Sequence, residues 1–337
     1  MQTIDIHEDL FRGAISVERL ENGWKPWRLP YQKLGLFPPS ELHIKAEYGA
    51  GVRLSLLSDT TAIQVIIAPQ KQNVKIDCVI DNDLVTTMTV AAGEREGKVD
   101  GLPHRMKRIE LYLPQVQPVT VSRINIDERA SLDFSPDSRK RWITYGSSIT
   151  QCGEAASPAL TWPAIIARRN NLHLTCLGYG GQCHLEPMLA MMIRDLPADY
   201  ISLCMGVNVR GKSSLSLRTY KSAVLGFIQI IREKHRETPI IVISPIYSGF
   251  QETNENAIGV SLVKLRKQMK EAVSTLQAYG DKHLQYVDGL SLFGPEDASY
   301  LPDDLHPNAE GYQLLAERMQ QRVVEPFIEA NRLNRST

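Results

Sequence analysis

The sequence predicts two folds in succession, an antiparallel β-sandwich and then a three-layer α/β domain with a mostly parallel sheet. Before residue 135, short segments with the alternation of β-strands recur about every ten residues. After residue 140, buried strand patterns alternate with helical ones. Between them, Arg129–Lys140 is polar and rich in turn residues, which indicates a linker. We therefore predict domains at residues 1–135 and 136–337.

The first domain is expected to be a sandwich of the jelly-roll type, because its strands are short and evenly spaced. No helical period is visible in it, so we predict no helix there. The predicted strands are Val52–Leu57, Thr61–Ile67, Val74–Ile80, Leu84–Val90, Arg108–Leu113 and Val119–Ile126.

An aromatic segment, Gly23–Tyr31, precedes these strands and contains Trp24 and Trp27. One hypothesis is a platform on which sugars stack, or a wall of an active-site cleft. The alternative is that the rings cover an open end of the sandwich. We favour the second, since large aromatic side chains mostly pack.

The second domain alternates five strands with five helices. The predicted strands are Arg141–Tyr145, Leu172–Leu177, Tyr200–Met205, Pro239–Ser244 and Leu284–Asp288. The first predicted helix begins near Ser157-Pro158. The other four span Leu185–Asp195, Leu215–Lys234, Val260–Ala278 and Glu310–Asn331. In such a sheet, functional groups collect beyond the carboxyl ends of the strands.

Composition excludes several classes of function. Lys+Arg and Asp+Glu both number 38, and no block of one sign stands out, so we expect neither nucleic acid nor an anionic membrane as a partner. No apolar run reaches about 18 residues, so no membrane span is expected. The first ten residues lack the pattern of a signal peptide. Five cysteines without short-spaced pairs suggest reduced thiols, no zinc site and a cytoplasmic location.

Small polar motifs follow three of the predicted strands and precede the last helix. A serine hydroxyl such as that of Ser148 needs a base, and histidine, here His306, is the side chain suited to that near neutral pH. Asp303, three residues earlier, can accept a hydrogen bond from the other ring nitrogen. The backbone N–H groups of Ser148 and Gly181 and the side-chain amide of Asn208 are candidate donors to an oxyanion. Each motif alone is weak, but together they form a consistent nucleophilic site.

These motifs resemble the four blocks of the GDSL/SGNH hydrolase family. The matching stretches are Gly146–Ile149, with Ser148 at the nucleophile position, then Gly181, Asn208 in Gly-Val-Asn, and Asp303-Asp-Leu-His306-Pro, all in family order. The resemblance implies a flavodoxin-like α/β/α fold and the hydrolysis of esters, or sometimes acyl transfer, without metal or cofactor. The first domain is similar to the β-sandwich that precedes the catalytic domain in one branch, on the less specific evidence of Arg12–Ala14 and Arg28–Pro30.

The sequence also departs from the family pattern. Ser147 replaces the aspartate of the first block and is interpreted as a turn former. Gln182 stands where many members have Asp or Asn, and Val209 stands where the family often has Asp. Thr150 occupies the second glycine position of a G-x-S-x-G elbow, which argues against an ordinary α/β-hydrolase. His184 is interpreted as a local packing or hydrogen-bonding residue, and Asp288 is a rival acid for His306.

The leading hypothesis is a serine esterase that forms an acyl-enzyme on Ser148 and acts on short-chain or acetyl esters. An acyltransferase with the same residues and a non-catalytic carbohydrate-binding protein are the alternatives. Expected partners are small acyl esters, with acetylated carbohydrates among them; homo-oligomerisation stays open.

Overall fold

The computed structural model describes residues 1–133 and 136–327. The chain forms two compact units: Met1–Lys140 together with Ala156–Cys176, and Arg141–Ala155 together with the chain from Leu177 onward. The domain boundary predicted at residue 135 stays a prediction, since residues 134 and 135 lie outside the described residues. In that described part, no helix is both long and apolar enough to cross a membrane.

The first unit contains two antiparallel sheets that enclose one apolar core, so the predicted sandwich is confirmed. Its strands are β1 (Gln2–Ile4), β2 (Phe11–Arg12), β3 (Ser16–Leu20), β4 (Gly23–Trp27), β5 (Arg53–Ser58), β6 (Ile63–Ile67), β7 (Val74–Ile80), β8 (Asp83–Val90), β9 (Glu96–Val99), β10 (Lys107–Tyr112), β11 (Val121–Ile126) and β12 (Leu132–Asp133). One sheet has the order β3-β4-β11-β6-β9, with β1 beside β11. The other has the order β12-β5-β10-β7-β8, with β2 beside β5.

The prediction that this region has no helix is wrong. Helix α1 (Ser40–Ala46) buries Leu42 and Ala46, and 3-10 turns lie at Glu8–Leu10 and Tyr31–Leu36. Seven residues make fewer than two turns, too few for a helical period to stand out in the sequence.

Part of the aromatic segment, Gly23–Trp27, forms the strand β4, and Tyr31 begins a 3-10 turn. β4 pairs with β3, Trp27 is buried and donates to Glu18 at 2.9 Å, and Trp24 packs on the edge of the core beneath the Arg19 guanidinium. Both tryptophans therefore pack, as the favoured interpretation expects, and their position over an open end of the sandwich stays a prediction.

A five-stranded sheet, in the order β14-β13-β15-β16-β17, carries the second half of the chain. Its strands are β13 (Lys140–Gly146), β14 (Leu172–Gly178), β15 (Tyr200–Cys204), β16 (Ile240–Ile243) and β17 (Leu284–Val287). β13, β15, β16 and β17 run parallel, as predicted, and the division between the two compact units falls within β14.

The helices after α1 are α2 (Ser148–Gln151), α3 (Trp162–Arg169), α4 (Pro187–Asp195), α5 (Val207–Lys212), α6 (Leu217–Arg232), α7 (Gly249–Thr253), α8 (Leu262–Ala278), α9 (Gly289–Leu292) and α10 (Ala309–Met319). A π-helical segment, Gln320–Val324, follows α10. Residues 328–331 of the predicted last helix lie outside the described residues.

The predicted start of α3 is wrong. Ser157-Pro158 opens only a 3-10 turn, and α3 begins at Trp162, where the Thr161 hydroxyl accepts a hydrogen bond from the Ala164 amide at 3.4 Å. Both places offer a hydroxyl residue before a proline, so the sequence signal alone is ambiguous.

A buried network of charged side chains crosses the first unit. Glu110 accepts hydrogen bonds from Arg53 at 2.9 Å and Arg139 at 2.6 Å, and Arg139 also binds Asp137, which contacts His173 at 3.0 Å. Burial alone would raise the pKa of Glu110, but the two guanidinium groups outweigh it and lower the pKa from 4.5 to about 2. Because the folded-state pKa is depressed, this stabilisation is present above pH 4.5 and is lost as the pH falls towards 2.

We predict that Glu110→Gln lowers the free energy of unfolding by about 3 kcal/mol or more at pH 7, because the buried Arg53 guanidinium loses the carboxylate that it binds and Arg139 loses one of its two. Urea unfolding at pH 7 and at pH 3 should show a smaller difference between variant and wild type at the lower pH. Glu96→Gln, on an exposed position of β9, is the control and should change stability by less than about 0.5 kcal/mol. An equal loss for the two variants would contradict the account.

Candidate active site

Ser148 lies where β13, the second strand in the sheet order, turns abruptly into a helix. β13 ends at Gly146 and α2 begins at Ser148, with Ser147 as the N-cap residue whose hydroxyl accepts from the Ile149 amide at 3.3 Å. A Cβ on Gly146 would lie 2.2 Å from the Thr150 hydroxyl, so this turn requires glycine. The capping bond agrees with the interpretation of Ser147 as a turn former.

His306 links Ser148 to Asp303. The distance from the Ser148 Oγ to the His306 Nε2 is 2.7 Å, and from the His306 Nδ1 to the Asp303 Oδ2 it is 2.6 Å. The other oxygen of Asp303 accepts from the backbone amides of His306 at 2.7 Å and Leu305 at 3.0 Å. One carboxylate therefore holds both the backbone and the ring of the histidine.

The Asp303 carboxylate determines where the protons lie in the hydrogen-bonded series Ser148–His306–Asp303. Partial burial opposes ionisation, but hydrogen bonds from the ring and backbone of His306 and from Leu305 outweigh it and lower the pKa of Asp303. An ionised carboxylate only accepts, so neutral His306 carries its proton on Nδ1. Its Nε2 is then an acceptor, and the Ser148 hydroxyl donates to it.

The loop after β14 lies against the helix that carries Ser148. The Gly180 amide donates to the side chain of Gln151 at 2.9 Å, and a Cβ on Gly180 would lie 3.5 Å from the Ser148 Cβ. Gly181 has a φ of +73°, a conformation that L side chains rarely adopt. Gln151, three positions after Ser148, thus holds the loop beside α2.

Asn208, in the first turn of α5, is bonded to the same loop. Its Oδ1 accepts from the Cys183 amide at 3.0 Å, and this bond fixes the orientation of the side chain with its NH₂ group available to another acceptor. Gly206, just before α5, has a φ of +118°, and a Cβ there would lie 2.9 Å from both Tyr220 and Pro245. A glycine is therefore required for the turn that presents Asn208.

Hydrogen bonds connect three of the five candidate residues directly, and the other two stay predictions. Ser148, His306 and Asp303 are directly bonded, whereas Gly180, the neighbour of Gly181, bonds to Gln151, and Asn208 bonds to Cys183 in the same loop. Gln151 and Cys183 were not found from the sequence, since neither carries a motif.

The remaining histidine and carboxylate candidates have other contacts. His184 bonds to Ser214 at 2.7 Å and to the Gly181 carbonyl at 3.1 Å, in agreement with its interpretation as a hydrogen-bonding residue. Asp288 caps α9 through the Leu290 amide at 3.1 Å, whereas Asp303 is the carboxylate bonded to His306.

Comparison with known proteins identifies the group to which this arrangement belongs. A family model described as "GDSL-like Lipase/Acylhydrolase family" matches residues 139–325. The protein is a member of the GDSL-like lipase/acylhydrolase family. Residues 10–122 also match the model of the SsfX3 N-terminal domain. No curated protein matches the chain by sequence.

Solved structures are similar to the chain over most of its length. A salicylyl-acyltransferase, SsfX3, from a tetracycline biosynthetic pathway is 32% identical, with a TM-score of 0.87 over 94% of each chain. A GDSL-like lipase from Bacteroides ovatus is 20% identical, with a TM-score of 0.73 over 94% of this chain and 95% of its own. A family two carbohydrate esterase from Clostridium thermocellum is 16% identical, with a TM-score of 0.64 over 83% of this chain and 94% of its own. The lipase and the carbohydrate esterase, at these low identities, show only that the fold is shared.

We predict that Asp303→Asn reverses the tautomer of His306. An amide NH₂ facing Nδ1 favours the proton on Nε2, so that the Ser148 hydroxyl meets a donor instead of an acceptor. Long-range ¹H–¹⁵N NMR spectra of the histidine rings report which nitrogen is protonated. An unchanged Nδ1–H signal for His306 in the variant would contradict the assignment.

Proposed function

We propose that the protein is a serine esterase that hydrolyses small acyl esters through an acyl-enzyme on Ser148. The observation that carries the proposal is the continuous chain from Ser148 through His306 to Asp303, with bonds of 2.7 and 2.6 Å. Nucleophile, base and orienting carboxylate stand within hydrogen-bonding reach of one another, which is what acyl transfer through a serine requires.

The first half of the reaction forms the acyl-enzyme. The Ser148 oxygen attacks the ester carbonyl while its proton passes to the His306 Nε2, and the carbonyl oxygen becomes an oxyanion. The backbone N–H groups of Ser148 and Gly181 and the NH₂ of Asn208 donate to that oxyanion. A single such donor is worth about 3 kcal/mol, or about 10²–10³ in rate. The tetrahedral intermediate collapses as His306 gives its proton to the departing alcohol.

The second half releases the acid. Water enters, gives a proton to the His306 Nε2 and attacks the acyl carbonyl, and the Ser148 oxygen leaves and regains that proton. Asp303 stabilises the imidazolium that forms in both halves and is itself not protonated.

The expected substrates are small soluble esters, with acetyl and other short acyl groups first. Acetylated carbohydrates belong to this group, and carbohydrate esterases share the fold at 16% identity. A screen across acyl chain lengths and acetylated sugars would define the preference.

A Ser148→Ala variant tests the central proposal. We expect kcat for ester hydrolysis to fall by about 10⁴-fold or more, because the group that is acylated is gone. Ser147→Ala removes the neighbouring hydroxyl and is the matched control, expected to cost about 1 kcal/mol of stability through its lost cap and to keep ester hydrolysis. Wild-type hydrolysis by Ser148→Ala would refute the proposal.

An acyltransferase is the second candidate, favoured by the 32% identity over 94% of the chain with a salicylyl-acyltransferase. The acyl-enzyme would be the same, and an alcohol would replace water as the second nucleophile. Arylcarboxylic esters thus join the acyl donors to be tried.

Product analysis separates hydrolysis from transfer. With an ester donor and increasing acceptor alcohol, the esterase proposal predicts free acid as the main product throughout. New ester formed in preference to free acid, at acceptor concentrations far below that of water, would favour the acyltransferase.

The non-catalytic alternative has less support. Loss of catalysis would be expected to remove at least one of the reacting groups or its contacts, whereas Ser148, His306 and Asp303 keep theirs.

A further inference from the structure

Asp304 lies between Asp303 and His306 in the sequence, and its carboxylate bonds to other residues than theirs. Its backbone has a φ of +62°, in the left-handed region, and its amide donates to the Leu301 carbonyl at 3.0 Å. Its carboxylate accepts from the backbone amides of Gly249 at 3.0 Å and Phe250 at 2.5 Å. Asp303 therefore holds His306, while Asp304 ties the same short loop to the start of α7.

α7 is itself fixed to the interior of its unit. The Arg266 side chain, on α8 and buried, binds both carboxylate oxygens of Glu252, one of them at 2.7 Å, and also the Pro245 carbonyl at 2.8 Å. Asp304 thus attaches the loop that carries His306 to a helix anchored by an ion pair with the buried Arg266.

The fit between Asp304 and Gly249 is close. A Cβ on Gly249 would lie 2.8 Å from the Asp304 Oδ1, so the carboxylate occupies the space that a side chain at 249 would need. If Asp304 served only the left-handed turn, glycine would serve as well or better. The two charge-assisted bonds to backbone amides indicate a second role.

We propose that Asp304 is a positioning residue, which sets the place of His306 relative to Ser148 by holding the Asp303–His306 loop on α7. This inference rests on the proposed serine esterase function. The Ser148–His306 bond joins residues 158 positions apart, so its length depends on how rigidly the loop is held. A displacement of about 1 Å at reacting groups can cost about 10²-fold in rate.

Two substitutions disrupt the hydrogen bonds between Asp304 and α7 in different ways. Gly249→Ala keeps the Asp304 carboxylate and its charge but pushes it off the amides, and the φ of Gly249 lies outside the left-handed region, so alanine brings no backbone strain. Asp304→Gly relieves the left-handed backbone and removes the carboxylate. Gly226→Ala in α6, where a Cβ would meet nothing within 4 Å, is the matched control.

Steady-state hydrolysis of a soluble ester is the measurement, with thermal unfolding of each variant beside it. We expect Gly249→Ala and Asp304→Gly to lower kcat by about 10- to 100-fold, with KM little changed and melting curves that remain cooperative. Asp304→Asn keeps one acceptor oxygen and should fall between these variants and the wild type. In Gly249→Ala the pH dependence of kcat/KM should keep its shape, because no charge is removed.

The outcome separates this inference from the function on which it rests. Wild-type kcat in Gly249→Ala and Asp304→Gly, with Ser148→Ala inactive, would overturn the role of Asp304 and leave the esterase intact. Wild-type activity in Ser148→Ala would instead remove the esterase proposal. If Gly249→Ala does not fold, Asp304→Gly alone decides, since glycine suits the backbone at 304.

Discussion

The bond between the Ser148 hydroxyl and the His306 ring joins two parts of the chain that are 158 positions apart, and the second half of the fold holds them at 2.7 Å. A hydroxyl is a useful nucleophile only if a base stands at that distance with a free lone pair. The surrounding features serve that condition: a glycine turn aims Ser148, and Asp303 fixes the tautomer of His306. The site exists because a parallel sheet delivers several chain segments to one edge.

Hydrogen bonds to backbone amides do most of the positioning around that bond. Asp303 and Asp304, neighbours in sequence, accept four of them in opposite directions, two within their own loop and two from α7. Gln151 and Asn208 do the same for the glycine loop after β14. Each of these side-chain acceptors fixes a backbone segment that would otherwise be free to move. Such bonds suit a site whose geometry must exist before the substrate binds.

The sequence predicted those parts that depend on local pattern. Alternation located β8 to within a residue, because a strand buried on one face shows a period of two. It missed α1, which is too short for a period, and misplaced the start of α3, where two hydroxyl-proline signals compete. The motif residues Ser148, Asp303 and His306 could be named because their chemistry is recognisable in a few letters.

The supporting residues could not be found in the same way. Gln151 meets Gly180 from 29 positions away, and Asp304 meets Gly249 from 55 positions away. An amide that bonds to a distant backbone leaves no periodic signal, and an aspartate next to Asp303 looks like a turn residue. Such contacts depend on the packing of the whole domain and become visible only in the structure.

The central claim is that Ser148 is the activated nucleophile of the folded protein. A fluorophosphonate reacts with such a serine oxygen by displacing fluoride, and peptide mass spectrometry locates the adduct. The account predicts one adduct on the peptide that contains Ser148 in the folded protein and none after denaturation. A folded protein left unmodified at Ser148, or modified at another residue instead, would contradict it.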